Sequence, residues 1–329
     1  MLILDAATIR DVLTLDRCID AVAKVMPAIS AGGAVQPMRR FLQMPDAPGQ
    51  LGWMPGVTEF GEAEALLGAK LLTIFPLPAE PGRSRHGGIV ILFDAGTGAP
   101  TALLEAGEIT AMRTPAASAV ATRVLARKEA RSLAILGAGK QAEGHLAAML
   151  KVRPIDRVTV WTTTPARADA FARTQTARHG VPVQACRTVE QAVAAADIVC
   201  TTTAAREPIL RFHWLRPGTH VNVIGSGVPS TSEIDNETVA GSRFFVDHRE
   251  TVEDQGGDYR RALAAGAITD GHIAAELGEV MAAHRPGRHS ADDITVFKSV
   301  GLIAYDLAAA SVAYDGARKA GAGLSVAFS

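Results

Sequence analysis

The sequence predicts an α/β protein, a doubly wound parallel sheet joined to a second, α+β domain, and three observations carry that prediction. From Arg131 onward, apolar β-forming runs alternate with helical ones. A glycine-rich turn joins the first of these runs to its helix, and the first hundred or so residues show a different, mixed pattern. With 329 residues, 48% hydrophobic and 20% charged, the chain is long enough for two cores.

Taken in order, "TLDRCIDAVAKVMPAIS" has apolar residues at helical spacing and is stopped by "AGG". "GAKLLTIFP" and "GGIVILFDAGTGAPTALLEAG" are rich in β-formers, and "AGTG" reads as a hairpin turn. "EITAMRTPAASAVATRVLA" is a helix of small residues bridging the domains, with its regular part expected to start near Pro115, since proline suits a helix's first turn. The doubly wound run follows as "SLAILGAG", "KQAEGHLAAMLKV", "RVTVWTT", "PARADAFARTQTARHG", "PVQAC", "RTVEQAVAAA", "DIVCTTT" and "HVNVIGSG". The closing stretch "SVGLIAYDLAAASVAYDGARKAG" reads as a long helix with a small-residue face, expected to return to the first domain.

A formal net charge of -1 without runs of like charge gives no electrostatic reason to expect nucleic acid or an acidic membrane, so a small molecule is the default ligand. Cys18, Cys186 and Cys200 are far apart and odd in number, which indicates neither a disulfide framework nor a metal pair, and no metal is expected. The stretch "MLILDAATIRDVL" lacks a basic flank and a long apolar core, and no later run has the length of a span. A cytoplasmic location is expected.

The strongest motif is "AILGAGKQA", Ala134 to Ala142. Gly137 permits the tight turn, Gly139 lets backbone approach a pyrophosphate, and Ala142 packs the helix on its strand; Lys140 and Gln141 open that helix. The context makes this a Rossmann-type nucleotide site. After the second strand, "VWTTTPARA" offers Thr162, Thr163, Thr164 and Arg167 and no acid, which favours the 2′-phosphate of NADP(H) over NAD(H); the same threonines also suit a polar loop capping the next helix. The turn "VIGSGVPSTS", containing Ile224 and Ser226, has the look of a ligand-facing strand end with hydroxyls and no carboxylate.

In the first domain the cations of interest are Arg39, Arg40, Lys70 and Arg113. Lys70 lies on an apolar strand, where an ammonium either meets an anion or water in a cleft or is carried out to the surface on its stem. Arginine's planar fork grips carboxylates. His86 in "SRHGG" is either a polar group near a ligand or a turn histidine.

The ordered stretches "VQPMR", "LGWMP", "AKLLT", "ITAMRTPAASAVAT", "LGAGKQA", "EPIL", "AELGEV" and "ITVFKSVG" resemble the ornithine cyclodeaminase/μ-crystallin family over nearly the whole chain. The resemblance implies a Rossmann domain, residues 119–302, inserted into an α+β substrate-binding and dimerisation domain, residues 1–118 and 303–329, in a homodimer. It further implies that Arg39, Lys70 and Arg113 hold a substrate carboxylate, with Lys70 assisting proton transfer. Thr114, Thr162 to Thr164, Thr202 and Thr203 within "TTT", and Lys298 with Ser299 match dinucleotide-contacting positions, and His86 matches a position near the cofactor.

Two departures from the family pattern matter. Gly52 stands where the cyclodeaminases carry a Glu for a distal amine, and Gly227 stands where cyclodeaminases and archaeal alanine dehydrogenases carry an Asp. Glycine can neither take a proton nor pair with an ammonium, which brings the chain nearer the family's ketimine reductases. The expected activity is NAD(P)H-dependent reduction of an α-imino acid to the L-amino acid. Lys70 or a water held by Ser226 or His86 is the expected proton donor, with Trp53 and Met54 as an apolar wall for a cyclic ketimine such as a pyrroline carboxylate. Arg40 is the candidate for a second carboxylate of an acyclic dicarboxylic imine, unless strand alternation turns it away from Arg39. The alternatives are an amino-acid dehydrogenase or cyclodeaminase releasing ammonia, and a non-catalytic binder of NADPH and a small ligand.

Overall fold

The computed structural model describes residues 1–45, 49–61, 64–75 and 86–328, with the side chain of His86 outside the description. The chain divides into two compact units, Met1–Thr114 with Leu302–Ser329, and Pro115–Gly301.

The first unit opens with β1 (Leu2–Leu4), α1 (Ala6–Val12) and α2 (Leu15–Ser30). The Thr14 hydroxyl caps α2 by accepting from the Arg17 N–H, and Cys18, Ile19, Val22, Val25, Met26 and Ile29 form its buried stripe. Then come β2 (Ala34–Val35), β3 (Arg40–Gln43), β4 (Gln50–Glu59), β5 (Ala65–Ile74), β6 (His86–Phe93) and β7 (Pro100–Glu105). The "AGTG" turn does join β6 to β7, and the Asp94 carboxylate holds it by accepting from the N–H groups of Gly96 and Thr97.

Helix α3 (Ala106–Leu125) corrects the expectation placed on Pro115, which lies inside it. The helix nucleates earlier because the Glu105 carboxylate accepts from the N–H groups of Gly107 and Glu108, at 2.7 and 2.6 Å, and Ile109 is fully buried. One hydrogen bond missing at Pro115 does not outweigh that.

The second unit contains β8 (Ser132–Leu136), α4 (Lys140–Val152), β9 (Arg157–Trp161), α5 (Pro165–His179), β10 (Val183–Ala185), α6 (Val189–Val193), β11 (Ile198–Thr201) and β12 (His220–Val223). It continues with α7 (Asn236–Gly241), β13 (Arg243–Val246), α8 (Arg249–Gln255), α9 (Gly257–Ala264), β14 (Ala275–Glu276), α10 (Leu277–Met281) and β15 (Thr295–Lys298). Its strands form one sheet in the order β10-β9-β8-β11-β12-β15-β13-β14, parallel throughout. Every residue of β8, β11, β12 and β15 is buried, as a parallel sheet covered on both faces requires. The order reverses between β8 and β11, so the carboxyl ends of these strands flank a topological switch point.

The C-terminal segment returns to the first unit as α11 (Ile303–Ala320) and β16 (Leu324–Ser325). That unit's sheet runs β16-β1-β7-β6-β5-β4-β2, with β3 also on β4. Gly56 and Gly68 pair across β4 and β5, and their missing side chains admit Ile303 and Leu307 of α11 against the strands. No helix among the described residues is long and apolar enough to cross a membrane.

Candidate active site

The cationic cluster is assembled within the first unit, on the sheet face covered by α11. Register places Met54, Lys70 and Val90 on one cross-strand line, and all three are buried. The Lys70 ammonium donates to the Asp306 Oδ1 at 2.9 Å and to the Thr110 hydroxyl at 2.5 Å. The Arg113 guanidinium donates through Nε to the same Asp306 oxygen at 3.2 Å. Lys70 is 5% exposed, Arg113 8% and Asp306 0%, so two cations share one anion away from bulk water. Burial pulls the Lys70 pKa below its ordinary value, and Asp306 only partly restores it; against the pull of burial, Arg113 and Lys70 bring Asp306 below the usual carboxylate range. Arg39 is half-buried ahead of β3, and its charge reaches Lys70.

Arg40 is corrected. It pairs in register with Trp53, which pairs with Leu71, on the face opposite Lys70, and it is exposed. Trp53 therefore does not stand beside Lys70, whereas Met54 does. Phe41, Gly52 and Leu72 share the Lys70 face with Met54; a Cβ on Gly52 would come within 2.7 Å of the Phe41 ring. Thr114 is buried with a hydroxyl oxygen that lacks a hydrogen-bond partner among the described residues. His86 begins β6 opposite Ile74, and its side chain lies outside the described residues.

Sequence reasoning missed Asp306 and Thr110. The available signal was an aspartate inside the apolar run "IAYDLAAA", where a carboxylate must find a buried partner.

The second unit carries the glycine turn. Gly137 has φ +122°, and its N–H donates to the Trp161 carbonyl, while a Cβ there would strike Thr202. Gly139 caps α4 with nothing within 4 Å of where a Cβ would stand, so the backbone is open on that side, and Ala142 is fully buried. These are the features a pyrophosphate needs at a helix N-terminus. Lys140 is exposed and Gln141 half-buried at that terminus; Thr162 to Thr164 follow β9, with Thr163, Thr164 and Arg167 exposed. Thr202 and Thr203 follow β11, and Ile224 follows β12.

The turn "VIGSGVPSTS" is wired from behind by carboxylates that sequence reasoning did not assign. Glu233, fully buried, accepts from the N–H and hydroxyl of Thr203, the Thr201 hydroxyl and the Gly225 N–H, joining the ends of β11 and β12. Asp258 accepts from the Ser226 and Ser232 hydroxyls and the N–H groups of Glu233 and Ile234. Burial raises the Glu233 pKa; Asp258 is lowered in spite of burial because Lys298 lies 3.0 Å away.

Three residues singled out in the sequence are engaged in this network, and for Ser226 the expected role is corrected. Ser226 is fully buried, its hydroxyl donating to Asp258 and accepting from Lys298 at 2.6 Å, so it is not a free proton donor. The Lys298 ammonium is held by the Ser226 carbonyl, the Ser226 hydroxyl and Asp258, and the Ser299 hydroxyl donates to Asp247. These contacts tie the ends of β12 and β15 to the residues behind them. Among the described residues no group of His, Cys, Asp or Glu could hold a metal ion.

A dinucleotide turn in one unit and a buried two-cation cluster in the other define a two-unit nicotinamide-dependent enzyme. The chain belongs to the ornithine cyclodeaminase/mu-crystallin family, whose profile matches residues 1–321. It is 35% identical to a Delta(1)-pyrroline-2-carboxylate reductase of Bacillus cereus over 329 residues, all of both chains. It is 36% identical over 284 residues, 86% of each chain, to the ketimine reductase mu-crystallin of Mus musculus. Among solved structures, the Thermococcus litoralis Delta(1)-pyrroline-2-carboxylate reductase in complex with NADH and L-proline superposes with a TM-score of 0.93 at 35% identity, covering 99% of this chain and 100% of that one.

Proposed function

We propose that this protein is a nicotinamide-dependent imine reductase that converts a cyclic α-imino acid of the pyrroline-2-carboxylate type to the L-amino acid. The observation that carries the reading is the buried pair Lys70 and Arg113 sharing the single anion Asp306, a cluster with one positive charge in excess for a substrate carboxylate. The names of the full-length relatives support the same class of substrate.

The carboxylate is held by Arg113 and Arg39 beside Lys70, which fixes the C=N bond in position. When bound, the reduced nicotinamide supplies a hydride to the imine carbon. Lys70 gives the proton to the nitrogen, so the C=N bond becomes CH–NH. The first unit holds the acid, and the second holds the dinucleotide at Gly137, Gly139, Ala142, Thr202 and Thr203. Phe41, filling the space above Gly52, suits an apolar ring and leaves no room there for a group that would bind a distal amine. Arg40, turned to the other face, weighs against an acyclic dicarboxylic substrate.

NADP(H) is the preferred cofactor in this reading, because Thr162 to Thr164 and the exposed Arg167 stand where an acid would read the ribose 2′-hydroxyl. The Thermococcus litoralis structure is a complex with NADH, so the preference is to be measured directly. Arg167→Ala should weaken NADPH at least about tenfold more than NADH, as loss of one charge-assisted phosphate contact predicts; equal effects remove the threonine loop from that role. The protein works in the cytoplasm as a homodimer formed through the outer face of the first unit's sheet, where Val35, Leu42, Leu51, Trp53 and Leu71 are exposed.

The deciding assay follows NADPH and NADH oxidation with pyrroline- and piperideine-2-carboxylate and with oxoacids plus ammonia or methylamine. Oxidation with the cyclic ketimines is expected. Inertness toward every imine overturns the reading, and ammonia release from ornithine overturns the argument from Gly52 and Gly227.

A further inference from the structure

Asp306 lies in α11 among residues that are all buried, and its carboxylate would be costly there without partners. Its bonding is lopsided. Oδ1 accepts from both Lys70 and Arg113, while the buried Oδ2 has no hydrogen-bond partner among the described residues. An ion pair whose only task is cohesion would spread two cations over two oxygens; converging them on one brings an ammonium and a guanidinium side by side. Thr110 fixes the ammonium further, accepting from Lys70 while donating to the Ala106 carbonyl at 2.7 Å. Of the three ammonium hydrogens, two are thus directed into the protein and one remains, among the described residues, for an incoming group.

We propose that Asp306 is the positioning residue of this site, aiming Lys70 and Arg113 at a common point and holding the Lys70 proton in place for the imine nitrogen. The proposal rests on the imine-reductase reading. Among the described residues, the charged and titratable groups around it are Lys70 from β5, Arg113 from α3, Arg39 ahead of β3 and Cys18 from α2, whose thiol burial pushes up to about 12 and keeps neutral. Asp306 is therefore the single anion among them.

The sign of the effect follows. Burial, Arg113 and Arg39 all favour the neutral amine of Lys70, and Asp306 alone opposes them. Neutralising Asp306 makes Lys70 lose its proton at lower pH, so the basic limb of kcat/KM for reduction moves down.

The test compares wild type and Asp306→Asn in the pH dependence of pyrroline-2-carboxylate reduction with whichever of NADPH and NADH the wild type oxidises faster, with NADH affinity measured by fluorescence. A downward displacement of the basic limb by about one pH unit or more, with NADH affinity within about twofold of wild type, is expected from loss of an adjacent opposite charge. Titration of the substrate itself is common to both proteins and cancels. A limb that stays in place overturns the proposal. Lys70→Met and the double variant Lys70→Met/Asp306→Asn keep the test decisive should Asp306→Asn fail to fold, since the double variant removes the Lys70–Asp306 pair whole. Because Arg113 still pairs with Asp306 in Lys70→Met, KM for the imine should rise in the double variant, while equal residual kcat in these two is expected if Asp306 acts on proton transfer through Lys70, and a further fall in kcat of more than about tenfold overturns it. A wild-type chain inert toward the imine overturns the functional reading and this proposal together, whereas wild-type turnover with an unmoved limb in Asp306→Asn overturns this proposal alone.

Discussion

At Gly52 the lack of a side chain does more than omit a functional group, because it lets the Phe41 ring occupy the space one step along the strands from Lys70. Residues two apart on a strand are roughly 7 Å apart, so a small ring whose carboxylate meets Lys70 would reach this aromatic surface. Gly52→Leu should push Phe41 aside and lower kcat/KM for a cyclic ketimine about tenfold or more, the scale of a lost apolar contact in a pocket, while NADH affinity stays at the wild-type value. Unchanged kcat/KM would take Phe41 out of the substrate's surroundings. At this scale the sequence disclosed the cations and not their anion. Lys70 stood out because a lysine on an apolar strand needs an explanation; Asp306 is separated from it by 236 positions and only the packing of α11 on β5 brings them together.

Elements were legible where composition and period agreed. The apolar runs of the parallel sheet and the glycine turn follow from burial on both faces and from the backbone demands of Gly137. Pro115 misled because a local rule met a tertiary one: α3 is capped by Glu105 and packed through Ile109 well before the proline. The other end of α3 shows the same dependence on distant residues. The Arg153 guanidinium donates to the carbonyls of Thr122, Arg123, Ala126 and Arg127, closing the helix terminus from another element. Arg153→Met should cost about 1–3 kcal/mol, the range for hydrogen bonds to a charged group, seen as a lower Tm with unaltered kcat. Arg153→Lys should fail to restore it, since one ammonium cannot match the fork's reach. A Tm equal to wild type in the methionine variant would show that solvent serves those carbonyls equally well.

On the scale of the whole molecule, alternation that was readable along each strand acquires its meaning only from the sheet. The residues of β4 and β5 read as one extended apolar pattern, and no single strand reveals which face will be covered by a helix that begins more than two hundred positions later. The structure separates them: Met54 and Lys70 lie under α11, while Leu42, Leu51, Trp53 and Leu71 are 37% to 60% exposed on the opposite face. In the homodimer proposed above, this patch of large apolar side chains, running across three strands, would meet a second copy face to face. Trp53 lies on the β3–β4–β5 line between Arg40 and Leu71, so a carboxylate placed there would be buried without adequate pairing in the proposed dimer and solvated in the monomer. Trp53→Glu should therefore shift sedimentation from dimer to monomer at micromolar concentration, weakening association by about a hundredfold or more, as removal of a central aromatic anchor does. Because Trp53 points away from Lys70, the monomeric variant should keep its NADH affinity. A wild-type protein that sediments as a monomer, or a Trp53→Glu dimer of unchanged affinity, would move the interface elsewhere.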